Sequence, residues 1–429
     1  MLKNRVVKNA SWIIICKVVQ AVLTFVVTFL TARFLEPAGY GVINYAASVV
    51  AFFVPIMQLG LNSTLVHELI KKPDREGEIL GTAVTMSFAS SILSVLGIFA
   101  FTLVANAGER ETVLVCVIYG TMLLFQAFEL LQYWFQAKLL SKYHAVVVLI
   151  AFAVISAYKI FLLVEGYSVI GFAVAQSFDY LLIAVGLFVI YLRKSKIRLT
   201  FSFMTAKELF ASSKYYIISS LMITFFAQTD KVMIKLMIDD AACGYYSAAV
   251  TCAGLTSFVF AAIIDSLRPV IFENKDKSEE EYKKSLTALY TIIIYLSLAQ
   301  SLVISLASGI VIKLFYGAAY TQAIVPLAIL VWYSTFSYLG AVRSVWMLAE
   351  GKQKYLWIIN LSGAVLNIVL NYILIPTIGI SGAAIASLAT QIFANVLIGF
   401  IIKPILENNR SMMQSVNPKY LLSFIKKLK

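Results

Sequence analysis

Charged residues are scarce in this sequence, and that scarcity excludes an ordinary soluble protein. Only 13% of the 429 residues are charged, whereas soluble domains carry about 25%, and 61% are hydrophobic. The hydrophobic residues form many separate runs of the length that crosses a bilayer, which is about 20 residues. The composition therefore predicts a polytopic membrane protein.

Cysteine is also scarce, and its placement gives no sign of a metal site. The four cysteines stand singly inside apolar runs, without metal-ligand spacing, and are interpreted as packing residues: Cys16, Cys116, Cys243 and Cys252. No phosphate loop of the form G-x-x-x-x-G-K-S/T occurs, which argues against ATP-driven transport by this chain alone. We expect no cofactor and no bound metal. The first apolar run is too long for a cleavable signal peptide.

Twelve apolar segments, separated by short breaks, follow one another along the chain. Irregular backbone is not tolerated against lipid, so each segment is predicted to be a helix. The predicted fold class is all-α, with about twelve transmembrane helices. Their predicted boundaries are 11–35, 41–66, 81–106, 112–134, 145–164, 167–192, 214–238, 243–270, 285–312, 322–347, 356–375 and 379–402.

Lysine and arginine are distributed unevenly between these segments. The formal net charge is +13 at pH 7, but the basic residues do not form one patch, so we predict no nucleic-acid partner. Alternate connections and the C-terminal tail carry nearly all of them. The other connections hold only Arg33, Arg110, Lys235 and Lys313. The positive-inside rule then predicts that both termini are cytoplasmic, which agrees with an even number of helices.

The chain contains a hairpin that recurs in its second half. A turn at residues 36–39 (EPAG) joins the first two segments, because proline fixes φ and glycine permits a tight reversal. About 205 residues later, residues 244–246 (GYY) stand where 39–41 (GYG) stood. Six helices in each half predict parallel repeats around a central cavity. The predicted divisions are a first half at 1–192, a basic cytoplasmic loop at 193–213, a second half at 214–402 and a basic cytoplasmic tail at 403–429.

Several motifs, taken in order and spacing, resemble those of polysaccharide flippases over nearly the whole chain. They are residues 32–41 (ARFLEPAGYG), 60–62 (GLN), 230–234 (DKVMI), 243–249 (CGYYSAA), 314–317 (LFYG), 371–376 (NYILIP) and 379–384 (GISGAA). One departure is Glu36, where that family usually has glycine. The resemblance is to the oligosaccharide-flippase branch of the multidrug/oligosaccharidyl-lipid/polysaccharide exporter superfamily.

This resemblance implies a function and a location. Members of the branch move undecaprenyl-pyrophosphate-linked sugar units across the bacterial inner membrane by alternating access, for O-antigen, capsule or teichuronic-type polymers. Helices one, two, seven and eight are held to line the cavity. The expected partners are the lipid-linked oligosaccharide, membrane lipid, a polysaccharide polymerase and chain-length proteins.

Polar residues on those four helices form the candidate substrate-binding set. Polar groups are costly in hydrocarbon, so these helix faces should point toward protein or water. The set comprises Lys17, Gln20, Asn62, Gln228, Lys231, Asp265 and Arg268. Its cations suit a pyrophosphate, because charge-assisted hydrogen bonds to phosphate are strong. Interhelical hydrogen bonding is the structural alternative for the smaller polar residues.

Other charged residues within the segments receive separate interpretations. Asp230 is a candidate coupling site, and Lys159 and Asp179 on neighbouring helices are candidates for a neutralising pair or for coupling. Glu129 and Arg343 lie near segment ends, from which they are expected to reach toward water. A stripe of asparagines on the eleventh helix is interpreted as packing: Asn360, Asn367 and Asn371.

Two other functions stay open at this point. A cation-coupled multidrug antiporter would share the fold, but carboxylates would dominate its cavity, whereas the cavity predicted here is cationic. A membrane glycan polymerase would need a sizeable outer loop, and outer connections such as 106–111 and 376–378 are short. We therefore expect a transporter rather than an enzyme.

Overall fold

The computed structural model describes residues 2–195 and 197–420, with side chains described at Cys16, at 19–195 and at 197–420. Over these residues the chain is helical, and no β-strand occurs. The labelled helices are α1 (2–35), α2 (37–58), α3 (Glu76–Ala105), α4 (Arg110–Ala137), α5 (Ser141–Glu165), α6 (Val169–Lys194), α7 (Phe203–Met237), α8 (Asp240–Ala253 with Ser257–Lys277), α9 (Glu279–Phe315), α10 (Ile324–Ala349), α11 (Leu356–Ile378), α12 (Ile380–Ile401) and α13 (Leu406–Gln414). A short helix, Leu65–Lys71, lies between α2 and α3.

The number of apolar helices agrees with the prediction. Ten continuous helical stretches are long and apolar enough to cross a membrane. One of them, Val19–Gln58, consists of two helices because its backbone breaks at Glu36. Helix α8 adds a span that is bent by 41°. The described part of the chain thus has ten apolar stretches of membrane-spanning length, or eleven with α8, and the all-α polytopic fold is confirmed.

The first hairpin turns at a single residue. Glu36 has φ 56° and ψ 176°, and the helix resumes at once with Pro37. This region of backbone space is essentially restricted to glycine, because a Cβ atom crowds the backbone there. The turn in the second half is built differently: the carboxylate of Asp239 accepts a hydrogen bond from the amide of Ala242 at 2.7 Å and caps α8.

Replacing Glu36 with glycine should stabilise the protein. The Glu36 side chain is exposed, so its removal loses no buried contact. Relief of the strained backbone is worth about 1–3 kcal/mol, and the greater freedom of glycine in the unfolded chain offsets about 0.5–1 kcal/mol of it. Thermal unfolding in detergent should therefore show a higher midpoint for Glu36→Gly. Glu36→Ala keeps the Cβ atom and should melt like the parent; a rise in both variants would contradict the strain.

The chain divides into two compact units, residues 1–228 and 229–429. In the first, the Trp134 ring packs edge-on against Tyr191 with centroids 5.1 Å apart, inside an apolar core. In the second, Phe260 and Tyr338 stack with centroids 4.0 Å apart. The boundary between the units falls within α7, which begins at Phe203, well before the predicted start at residue 214. The predicted division into two six-helix repeats stays a prediction.

The segment that connects α6 to α7 packs against the start of α3. The amide of Thr200 donates to the carbonyl of Gly77 at 3.2 Å. Gly77 and Gly81 lie one helical turn apart, and a Cβ atom on Gly81 would stand 2.5 Å from the carbonyl oxygen of Thr200. Glycine is therefore required here so that two backbones can approach closely. Farther along, the amide of Ser202 donates to the Thr82 hydroxyl at 3.0 Å.

All four cysteines are buried and none forms a disulfide bond.

Candidate functional site

The most enclosed acidic group of the second unit is the carboxylate of Asp230 on α7, of which 8% is exposed. Its Oδ2 atom accepts a hydrogen bond from the Tyr246 hydroxyl at 2.5 Å and another from the Ser387 hydroxyl. Its Oδ1 atom accepts from Asn371 Nδ2 at 2.6 Å. Asn371 Nδ2 also contacts Asn367 Oδ1 at 3.1 Å. We call these five side chains the Asp230 cluster.

The Asp230 cluster joins four helices, because its members come from α7, α8, α11 and α12. Every donor to the carboxylate is neutral, and within the described part of the chain Asp230 forms no ion pair with a basic side chain. Asn371 Oδ1 is buried and has no hydrogen-bond partner among the described residues. A buried carboxylate without a cation is costly, since hydrogen bonds from neutral groups compensate its charge only partly. Among the described residues, neutral groups alone therefore hold this buried carboxylate.

Lys231 follows Asp230 on α7 and points elsewhere, since successive residues of a helix are about 100° apart. Its side chain is half-buried and forms no ion pair with any described residue. Lys231 therefore has no anion at contact distance among the described residues. Its assignment as a phosphate ligand stays a prediction.

Arg268 and Asp265, also in the predicted set, pair with each other. Arg268 Nη2 lies 2.9 Å from Asp265 Oδ1, and the two side chains are 45% and 64% exposed. Both lie on α8, one turn apart. Arg268 thus has a counter-ion of its own, which distinguishes it from Lys231.

The remaining predicted ligands lie in the first unit. Gln228 Oε1 accepts a hydrogen bond from the Ser48 hydroxyl at 3.0 Å, so it joins α7 to α2. Asn62 donates to Gln58 Oε1 at 3.1 Å, directly after the end of α2. Gln20 on α1 lines a cavity of about 240 Å³. The side chain of Lys17 lies outside the described residues.

Lys159 and Asp179 do not form the predicted neutralising contact. No ion pair within 4.0 Å joins them among the described side chains, and Asp179 Oδ1 is buried without a hydrogen-bond partner. The two groups nevertheless lie close enough to interact electrostatically. Glu129 is paired instead with a histidine, since its Oε1 atom lies 3.7 Å from His144 Nε2.

Arg343 on α10 does not reach toward water, so that expectation was wrong. Only 2% of the residue is exposed. Its Nη1 atom donates to the carbonyl of Ala394 at 2.8 Å, and Nη2 donates to the carbonyl of Asn395 and to Asn409 Oδ1, the latter at 2.8 Å. Nε donates to Asn408 Oδ1 at 3.3 Å. The guanidinium stays buried because each of its nitrogen atoms donates to an oxygen acceptor in the plane of the group.

The carbonyl groups that bind Arg343 come from a π-helical turn of α12, Phe393–Leu397. A π turn disturbs the regular hydrogen-bond ladder and leaves carbonyl oxygens available to side chains. Asn409 Nδ2 binds a further carbonyl of this turn, that of Val396, at 2.7 Å. Asn408 Oδ1 also accepts from the Tyr290 hydroxyl at 3.0 Å. Arg343 and Asn408 together therefore link helix α13 to α9, α10 and α12.

Sequence reasoning missed several of these partners. Tyr246 and Ser387 were not considered as ligands, although Tyr246 lies in the repeated GYY motif. Asn367 and Asn371 were interpreted as packing, and their spacing of one helical turn was the signal that they act together. In the described part of the chain no group of three or more His, Cys, Asp or Glu side chains is placed to hold a metal ion.

The chain matches a known protein family and a curated protein. Residues 6–275 match the model of a family described as "Polysaccharide biosynthesis protein". A curated protein from Escherichia coli (strain K12), named "Putative O-antigen transporter", is 22% identical over an alignment of 380 positions that covers 84% of this chain and 87% of that protein.

Two solved structures share the fold. One is described as lipid II flippase MurJ in an inward closed conformation, with a TM-score of 0.71 and 14% identity over 96% of this chain and 92% of that one. The other is described as an inward-facing multidrug resistance MATE family transporter of the MOP superfamily, with a TM-score of 0.68 and 15% identity over 90% and 96%.

Proposed function

This chain belongs to the polysaccharide biosynthesis protein family, and from that membership we propose that it is a flippase for a lipid-linked oligosaccharide. The observation that carries the proposal is the family match over residues 6–275. The alignment with an O-antigen transporter over most of both chains supports it. In this proposal the substrate is an undecaprenyl-pyrophosphate-linked repeat unit, which crosses the bacterial inner membrane by alternating access for the synthesis of a surface polysaccharide.

Lys231 is our first candidate for a ligand of the pyrophosphate. A phosphate oxygen would supply the anion that no described residue supplies to Lys231. Arg268 is a weaker candidate because Asp265 already pairs with it. Lys17 stays a candidate from its position in the sequence alone.

Asp230 is our candidate for the coupling site. Its carboxylate sits among neutral donors, so the free energy of the cluster depends on whether a proton or cation is bound. Uptake and release of that ion would favour different conformations of the helices that the cluster joins. Coupling by Asp179 or Lys159 has less support, because neither belongs to a comparable cluster.

Orientation and partners complete the proposal. Both termini would face the cytoplasm, and a polymerase and chain-length proteins would receive the glycan on the other side. Cysteines introduced at Ala107 and at Ser195 test the orientation. In intact cells, an impermeant thiol reagent should label the cysteine at position 107 and leave the one at position 195 unlabelled. Labelling of both cysteines would contradict the proposed orientation.

Deletion of the gene should cause a lipid-linked oligosaccharide to accumulate in the inner leaflet, and the intact gene should restore export. Lys231→Ala should lower export about tenfold or more, because a hydrogen bond to a charged group contributes about 1.5–3 kcal/mol. Lipid-linked glycan is measured by mass spectrometry of membrane extracts, and surface glycan by immunoblot at matched protein level.

Lys207→Ala is the matched control, since Lys207 lies on the same helix and is exposed. It should export normally. Absence of accumulation in the deletion strain, together with increased sensitivity to organic cations, would favour a multidrug antiporter instead. Normal export by Lys231→Ala would show that Lys231 is not a ligand of the pyrophosphate, and the proposed flippase function would be unaffected.

A further inference from the structure

A cavity of about 240 Å³ lies within the first unit, among α1, α4 and α5. Its polar lining comes from Gln20 of α1, Gln132 and Gln136 of α4, and Ser141 and His144 of α5. Gln132 and Gln136 are one helical turn apart, so their carboxamides reach the cavity from the same face of α4. Sequence reasoning placed only Gln20 in a substrate site.

The carboxamides that line this cavity lack protein partners among the described residues. The side chains of Gln20, Gln132 and Gln136 form no hydrogen bond with any described residue. His144 Nε2 is buried, and its nearest acidic oxygen, Glu129 Oε1, is 3.7 Å away, beyond hydrogen-bond distance. Gln136 is exposed and Gln20 and Gln132 are half-buried, so their carboxamides are free to hydrogen-bond a polar molecule that enters the cavity.

The chemistry of the lining restricts what that occupant is. Among the described side chains, no lysine, arginine or carboxylate lines the cavity, and the nearest acidic group to its lining, Glu129, stands 3.7 Å from His144 Nε2. A lipid chain would leave the amides unpaired, which is costly. Carboxamide, hydroxyl and imidazole groups instead match the hydroxyl and amide groups of a sugar. Cys16, Ala145 and Val148 complete the lining with a less polar patch suited to the C–H face of a sugar ring.

The volume of the cavity also suits a sugar ring. Pockets that enclose a whole drug-sized ligand measure about 300–1,000 Å³, so this cavity holds only part of a larger substrate. One monosaccharide ring is a part of suitable size. We propose that the cavity binds one sugar ring of the transported glycan and so contributes to the choice of glycan. This inference rests on the proposed flippase function and adds a sugar subsite that is separate from the pyrophosphate ligand.

Cys16 offers a native reporter for this test, because its thiol lines the cavity. In a variant with Cys116, Cys243 and Cys252 changed to serine, Cys16 is the only thiol. Its alkylation by a small thiol reagent is followed by mass spectrometry in two membrane preparations. One comes from cells that make the lipid-linked glycan, and the other from cells blocked before the first sugar is added to the lipid.

Glycan should slow alkylation of Cys16 at least threefold. Gln132→Leu combined with Gln136→Leu removes two amides at nearly constant volume and should abolish that protection. The double variant should also lower export about tenfold, since each lost hydrogen bond contributes about 1 kcal/mol. Gln353→Leu, an exposed glutamine, is the matched control and should keep both protection and export.

Equal alkylation rates in the two preparations would overturn the sugar subsite and indicate a cavity that holds only water. A Cys16 that does not react even without glycan would show a cavity closed to polar solutes and would overturn it equally. These failures are distinct from failure of the proposed function. Export restored by the intact gene in the deletion strain would still support a flippase, and lack of restoration would reject the flippase whatever Cys16 does.

Discussion

Replacing Asp230 with asparagine should reduce glycan export at least tenfold while leaving the protein folded. The substitution keeps the size of the side chain and removes its charge. In the Asp230 cluster, hydrogen bonds come from Tyr246, Asn371 and Ser387, all of them neutral. A carboxylate in this setting carries a large desolvation cost, and its neutralisation relieves that cost. The variant should therefore melt at or near the temperature of the parent protein.

Export and stability together distinguish a coupling role from a structural one. Export by the parent should fall when a protonophore or removal of sodium dissipates the driving gradient, and the small residual export of Asp230→Asn should not respond. Asp276→Asn, an exposed aspartate at the end of α8, should behave like the parent in every assay. A lower melting temperature and a lower protein level in Asp230→Asn, in proportion to lost export, would instead assign Asp230 a structural role.

Replacing Arg343 with methionine should destabilise the second unit by about 3–5 kcal/mol. The fully buried guanidinium satisfies two carbonyl groups of α12 and two asparagine side chains of α13. Methionine fills much of the volume, but four oxygen acceptors lose one donor each, and Asn408 Oδ1 keeps the Tyr290 hydroxyl as a donor. Each such loss costs about 1–3 kcal/mol, reduced where the chain relaxes or water enters. Arg343→Lys should restore little, because a single ammonium group cannot reproduce the planar fork.

The measurement is the midpoint of thermal unfolding in detergent, together with the protein level in the membrane. Arg193→Ala, which removes an exposed arginine at the end of α6, is the control and should leave both unchanged. Truncation before α13 should lower the midpoint by a similar amount, since it removes Asn408 and Asn409. Unchanged melting of Arg343→Met would show that the fastening of α13 contributes nothing to stability.

The helices could be predicted from the sequence because the bilayer imposes a length and an apolar composition on each one. The start of α7 could not be located by that criterion. Residues 203–213 (FMTAKELFASS) are helical yet too polar to count as a lipid-facing run. The predicted turn at 36–39 contains the observed backbone break at Glu36. The break is limited to one residue because Pro37 can begin a helix directly.

The candidate site could be predicted only residue by residue. Asp230 and Asn371 are visible in the sequence as polar residues in apolar runs, but 141 positions separate them, and their contact depends on how α7 packs with α11. Arg343 was misjudged for the same reason. Its depth along α10 is readable from the sequence, whereas the π turn and α13 that receive its hydrogen bonds are not.

The segment that follows α6 also bears on how this gene can be divided. In a repeat protein, the boundary between the repeats is the obvious place to separate the coding sequence into two cistrons. Here a division after residue 194 would place the α6–α7 connection, which packs on Gly77 and Gly81, in the second product. The first product would then expose these two glycines on α3. The seam predicted from the sequence at 193–213 and the boundary between the compact units, after residue 228, are therefore different places in this chain.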